Sequence, residues 1–453
     1  MPITALQSTT TRTMEAFIKN KAHTPENNGS ITDIVELGDS CTPEIRKGIA
    51  DLRIVKQQKR KETLQAAGKI RESGNREPEK EWTILHYGGA DNNLSKYWIE
   101  TVNEMEAVGS RENLNIVSQL DLRDEGCKRY YITGDNDPQH LTSPVLEDLG
   151  RVNMADPEVL TEFIKFGVKK YPAKHYLLII ASHGAAWKGL QLEESFYHGG
   201  MSVPTLQKSI ENAEKTSGRK LDLLAFDACE MGSTEAAYEL RIVAYYLVAS
   251  EQVEAFKSWP YTSILQKAFE EKKTVAPREL GSIIVDESSK VKQDMLTMGL
   301  IDLSRMENVK DAANAFAVQI LETKTSMKKL NAIAEQTQQF YDPFKDLHHF
   351  SQKIAASPAV KDTTLIKAAE NLCSTLKDAV ITEEHSTSVP PRDLITDSDI
   401  LALNEKELHS LYELSNAHGL NVELNPQSSS YDDLQFAKDT QWGRAMSRIN
   451  QVA

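Results

Sequence analysis

The chain is 453 residues long, 40% hydrophobic and 26% charged, with a formal net charge of −14. That length holds one large domain or two to three ordinary ones, and the balance is that of a globular protein. The negative charge argues against nonspecific nucleic-acid binding, which needs a basic surface to neutralise phosphate, and no window approaches the roughly 18 apolar residues of a membrane span.

Residues 1–78 read as an N-terminal extension. Its first 21 residues mix Thr, Ser and charges without a continuous apolar core, so no secretory signal peptide is expected. The expected location is cytoplasmic, or one reached by a non-Sec route. From residue 43 to about 74 the pattern turns amphipathic, with Ile45, Ile49, Leu52 and Val55 at helical spacing before the basic KQQKRK run at 56–61. Such a helix packs on the main domain or acts as a regulatory or pro-segment.

Residues 79–303 alternate short apolar runs with helical stretches. Strands are predicted at 82–87 (WTILHY), 114–120, 129–132, 176–181 (YLLIIA), 221–226 (LDLLAF) and 244–249 (AYYLVA). Helices are predicted at 94–108, 156–171, 203–215 and 235–242. Wholly apolar strands interleaved with helices imply an α/β fold, a mostly parallel sheet sandwiched between helical layers. Residues 304–453 read as a helical C-terminal region, with 420–424 as a late strand returning to the core sheet.

The four cysteines, Cys41, Cys127, Cys229 and Cys373, lack CxxC spacing and disulfide density, so reduced thiols are expected. Two strand ends carry chemistry. The strand at 176–181 runs into Ser182-His183-Gly184, and the strand at 221–226 runs into Asp227-Ala228-Cys229. Sites in open parallel sheets form at the carboxyl ends of strands, so an imidazole and a thiol can face one another there. A free thiol is only a few per cent ionised at neutral pH, and a neighbouring imidazole takes its proton during attack. The N–H groups of Gly184 and Cys229 are the candidate oxyanion donors. Neither His183 nor Cys229 has a near-sequence partner of metal-ligand spacing, so no metal is expected. Gly88-Gly89 lacks both phosphate-loop patterns.

Together these residues resemble the clostripain family of caspase-like cysteine peptidases. The resemblance is carried by WTILHYGGADNNL at 82–94, NEMEAVGS at 103–110, LGRVNMAD at 149–156, His183-Gly184 and FDACEMG at 226–232. It continues in ASE at 249–251, Trp259-Pro260-Tyr261, IDLS at 301–304, GLNVEL at 419–424 and FAKDTQW at 436–442. It implies an α/β/α sandwich, a His183–Cys229 dyad without an obligatory third member, and cleavage after Arg or Lys by a monomer acting on protein or peptide substrates. Asp227 matches the acidic residue of the basic-P1 pocket; Glu251 and Glu254 are further substrate-binding candidates, set against Lys257 in the same segment. Members often cut themselves between the His and the Cys, and Lys188 is the best-placed candidate for that. Some members depend on calcium, but no calcium-loop pattern is present. A catalytically silent interaction protein is the alternative, and a transpeptidase a third reading.

Overall fold

The computed structural model describes residues 77–451 except 197–198, 255–258, 271–273, 292–295, 341–342, 390 and 393–400. The amphipathic helix expected within 43–74 lies outside the described residues, as does Lys257.

The chain opens with β1 (Lys80–Ala90), α1 (Ser95–Glu106), β2 (Leu114–Leu122), β3 (Gly126–Tyr131) and β4 (Val145–Gly150). Next come α2 (Pro157–Lys170), β5 (Ala173–Ala181), a small hairpin of β6 (His183–Gly184), β7 (Leu190–Gln191) and β8 (Gly200–Met201), and α3 (Val203–Ser217). Then follow β9 (Leu221–Asp227), α4 (Thr234–Leu240), β10 (Ala244–Ala249), α5 (Tyr261–Ala268), α6 (Pro277–Ser289) and β11 (Thr297–Asp302). The remainder is α7 (Met306–Glu322), α8 (Met327–Glu335), β12 (Phe344–Asp346), α9 (Leu347–Ala356), α10 (Thr363–Ala379), β13 (Val380–His385), α11 (Glu405–Tyr412), β14 (Asn421–Glu423), α12 (Gln435–Asp439) and α13 (Trp442–Asn450).

Nine strands form one sheet in the order β13-β11-β10-β9-β5-β1-β2-β3-β4. The five central strands, β10-β9-β5-β1-β2, are mutually parallel, and antiparallel strands extend both flanks. Every residue of β2 is buried, as expected of a strand covered on both faces. Alternation along the strands sorts the core into two layers. Leu85, Tyr87, Leu178, Ile180, Leu224 and Phe226 face one layer with α2, α3, α4 and the C-terminal helices. Ile84, Leu177, Ile179, Leu223 and Ala225 face the other, with α1, α5 and α6. The helices begin where their capping residues dictate: Asp156 with Pro157 at the first turn of α2, and Ser202 with Pro204 in that of α3.

The late strand behaves differently from the expectation. Segment 421–423 is a strand, but it pairs with β12 in a separate two-stranded sheet. Its place is set by polar contacts rather than by the main sheet's edge: Asn421 N donates to Gly232 O at 2.8 Å, and its side chain donates to Glu251 O at 2.9 Å. The strand that the C-terminal region returns to the main sheet is β13, in a stretch read as part of the helical C-terminal region. Strand β4 carries four exposed residues, among them Val145 and Leu146, and so shows no buried apolar run or alternation to read.

Candidate active site

The sheet's strand order reverses at β1: β2 lies on one side and β5 on the other. A crevice at the carboxyl ends of the strands follows from that reversal, and the candidate residues gather there. In the β5–β9 pair, Ala181 stands opposite Asp227. Beyond that rung, Ser182 N donates to Asp227 O at 3.2 Å, keeping the two departing chains together. Gly184 then seats directly on the Cys229 backbone. A Cβ at this position would lie 2.2 Å from Cys229 O and 3.1 Å from Cys229 N, so only glycine fits. The His183-bearing turn and the Cys229-bearing turn are therefore side by side.

The end of β1 supplies the third wall. Asn92, buried, donates through Nδ2 to Gly89 O at 3.1 Å and reaches Ser182 Oγ at 3.3 Å, while its Oδ1 accepts from Leu94 N at 2.9 Å. This pins the β1 turn to the β5 turn and presents the exposed Asn93. Its Oδ1 lies 2.7 Å from His183 Nε2. With Nε2–H donating, the neutral imidazole keeps its lone pair on Nδ1. Burial pushes the His183 pKa below its ordinary value, partly opposed by Glu194, so the ring is neutral at pH 7. The sequence contained Asn93 in its ADNNL segment, but without the tertiary pairing of β1 with β5 nothing connected it to His183.

Cys229 is half-buried, and the chain beyond it is tightly held. Glu230 adopts φ +64°, an unfavourable region for a residue with a Cβ. Glu230 N donates to Gln252 O at 3.0 Å and Gly232 N to Ser250 O at 2.7 Å, tying this turn to the segment after β10. That segment covers the sulfur: Glu254 N donates to Cys229 Sγ at 3.2 Å. Burial pushes the thiol up to about 12, only partly offset by the Glu254 amide. Among the described residues no hydrogen bond joins His183 to Cys229. This arrangement is a protonated, covered thiol next to a neutral imidazole.

The acidic candidates divide. Asp227 is buried, and its Oδ2 accepts from the Tyr261 hydroxyl at 2.9 Å. The Glu254 carboxyl lies beside it, held well above the usual range by burial and then by the Asp227 charge. Glu251 turns away from the thiol. Its Oε2 accepts from Gly419 N at 2.7 Å, and its buried carboxyl lies against that of Asp346 rather than facing a cleft. The cause is local, since Glu251 N is bonded to Thr297 Oγ1 at 2.9 Å and the chain direction is fixed before the side chain begins. Lys188 is exposed, with its ammonium 5.8 Å from the Trp187 ring centre and 5.6 Å from that of Phe344. Its backbone sits in a tight turn in which Lys188 N bonds Ala185 O at 3.1 Å and Gly189 N bonds Ala186 O at 3.1 Å.

Among the described residues two groups of side chains present oxygen or nitrogen donors close together: Asp91, Asp121 and Glu193, and Asp346, His348 and His418. The first group sheds part of its charge. Burial, and then the Asp121 charge, pushes Glu193 up to about 9, while burial, opposed by a hydrogen bond with Glu193, pushes Asp121 up to about 7. Glu193 therefore holds a proton at neutral pH, and its Oε1 accepts from Met154 N at 2.8 Å.

A mostly parallel sheet between helical layers, with an imidazole turn and a thiol turn at adjacent strand ends, defines a caspase-like cysteine peptidase. Residues 86–445 match the Clostripain family, and the chain belongs to it. It is similar to clostripain of Hathewaya histolytica, at 24% identity over 70% of this chain and 74% of that protein. Its fold is that of a secreted C11 cysteine protease from Bacteroides thetaiotaomicron solved with an irreversible peptide inhibitor, with a TM-score of 0.57 at 19% identity over 81% of this chain and 99% of that one. It also matches an inactive zymogen C11 protease from Parabacteroides distasonis, with a TM-score of 0.61 at 20% identity over 81% of this chain and 99% of that one. The chain is thus a cysteine peptidase with peptide substrates, and among the described residues no helix is long and apolar enough to cross a membrane.

Proposed function

We propose that this peptidase cleaves after Arg or Lys through a His183–Cys229 dyad, and that the arrangement described above is its resting, covered state. The observation that carries the dyad is Gly184 packed on the Cys229 backbone, which leaves the two turns no room to lie apart. In the reaction, the Cys229 thiol passes its proton to His183 Nδ1 as sulfur bonds the scissile carbonyl carbon. His183 returns that proton to the departing amine, and water then hydrolyses the thioester. The N–H groups of Gly184 and Cys229 are the candidate donors to the oxyanion. Asn93 positions the imidazole by fixing its tautomer.

The basic preference is supported by Asp227 and Glu254, two acidic groups at the thiol's end of the sheet. An arriving guanidinium or ammonium replaces the proton that Glu254 holds and pairs with both carboxylates. Uncovering the sulfur requires the Glu254 amide to move off it. Self-cleavage after Lys188 belongs to this reading, and it requires the tight turn at 185–189 to open into an extended strand.

The test is intact-mass analysis of the wild type and Cys229→Ala after incubation with an arginyl chloromethyl ketone. A single adduct on the wild type alone is expected, together with turnover of Arg- and Lys-terminated reporters that falls roughly 10–100-fold in Asp227→Ser, the loss of one charge-assisted contact. Equal labelling of Cys229→Ala would refute the dyad. Reporters with acidic or apolar P1 residues turned over faster than basic ones would refute the specificity.

A further inference from the structure

The cluster of Asp346, His348 and His418 has no part in the reaction just described. Asp346 ends β12, His348 lies in the first turn of α9, and His418 precedes β14, the partner strand of β12. One donor atom from each lies within 4.8 Å of the other two. Tetrahedral zinc holds nitrogen and oxygen donors about 2.0–2.2 Å away, hence roughly 3.4 Å from each other, so the donors need to draw in by no more than about 1.4 Å to hold an ion.

Three observations distinguish it from a satisfied polar cluster. His348 is 4% exposed, and both of its ring nitrogens are buried without a hydrogen-bond partner among the described residues. A buried imidazole with neither nitrogen used is costly and rare, and metal ligation is a standard resolution. The His348 ring centre lies 4.2 Å from that of His418, too close for two imidazolium ions. Finally, Asp346 is fully buried and orients His418, accepting from its backbone N at 2.7 Å and lying 3.1 Å from its Nδ1. Beside it, Glu251 has a buried Oε1 with no hydrogen-bond partner among the described residues, and Glu383 adds a third acid.

We infer that Asp346, His348 and His418 form a binding site for a divalent d-block cation of the zinc type. Two nitrogen donors and one carboxylate select a borderline ion over calcium or magnesium, which take oxygen. Bound there, the cation places positive charge beside the Asp346, Glu251 and Glu383 carboxyls. The site also reaches the thiol's surroundings. Gly419 N bonds Glu251, and Asn421 Nδ2 bonds Glu230 O at 3.2 Å and Glu251 O at 2.9 Å. The ion therefore braces the two segments that flank Cys229.

The test uses the full chain carrying Cys229→Ala, so that the thiol cannot bind metal, after stripping with a chelator. Titration with Zn2+ by calorimetry and with Co2+ by visible absorption is expected to give one equivalent, with the visible bands of a four-coordinate nitrogen and oxygen site. Zinc should raise the Tm. Adding His348→Gln or His418→Gln should weaken binding by more than about 100-fold and abolish the Co2+ bands. Absence of one-to-one binding or of those bands in Cys229→Ala itself overturns the inference, whether or not the histidine variants fold. So does binding that survives His348→Gln, or that is lost only with Asp121→Asn, which would place the ion among Asp91, Asp121 and Glu193.

Discussion

Replacing Gly184 by Ala probes the contact on which the catalytic geometry depends. The added Cβ would stand 2.2 Å from Cys229 O, and real contacts stay above 3.0 Å, so the His183 and Cys229 turns must part by about 0.8 Å. Neither turn can yield freely. Ser182 is bonded to Asp227 and lies within hydrogen-bond reach of Gly89 O, and the turn after Cys229 is bonded to Ser250 and Gln252. A displacement near 1 Å at reacting groups costs roughly 100-fold in rate, and overpacking costs about 1–3 kcal/mol of stability. Gly184→Ala is therefore expected to lose about 100-fold in kcat/KM on an arginyl reporter and a few degrees in Tm. Gly443→Ala is the internal control, because its Cβ meets only Tyr431 at 3.9 Å on helix α13. It should leave kcat/KM unchanged and stabilise by up to about 0.5–1 kcal/mol. A Gly184→Ala enzyme within about 3-fold of wild type, with an unchanged Tm, would refute the reasoning.

Asn93→Ala removes the acceptor that holds the imidazole, so kcat should fall roughly 10-fold, the worth of one hydrogen bond, while stability of this exposed position stays within about 0.5 kcal/mol; steady-state kinetics with thermal melts would separate the two. For the buried Glu230, the carboxyl is pushed up to about 8 from 4.5. The folded state then holds a proton that the unfolded chain has lost, and the resulting stability is full below about pH 4.5 and disappears as pH rises through 8. Denaturant melts from pH 5 to pH 8 should show wild type losing up to about 1.4 kcal/mol per pH unit more than Glu230→Gln, and parallel curves would contradict the burial argument. The covered thiol makes a kinetic prediction as well. Alkylation of Cys229 by neutral iodoacetamide should keep accelerating above pH 9, since no imidazolium holds a thiolate in the resting state, and a plateau reached below pH 7 would show an ion pair instead.

Much of this protein was legible one residue at a time. The runs at 176–181 and 221–226 are too apolar to be anything but doubly covered strands, and the residues that follow each run identify the imidazole and thiol turns. Local chemistry also dictated the capped helix starts at Asp156 and Ser202. The tertiary structure alone decided which polar groups meet. Glu251 and Glu254 are three residues apart and look alike in sequence, yet one braces Gly419 while the other covers the sulfur through its backbone, because Thr297 fixes the chain direction between them. Asn93 reaches His183 across 90 residues, and Asp346 and His348 reach His418 across about 70. Hydrophobic periodicity records the depth of each residue beneath the surface and says nothing about the partner of a buried polar atom. That partner is set by strand order and register, which the chain specifies only when the whole sheet has assembled.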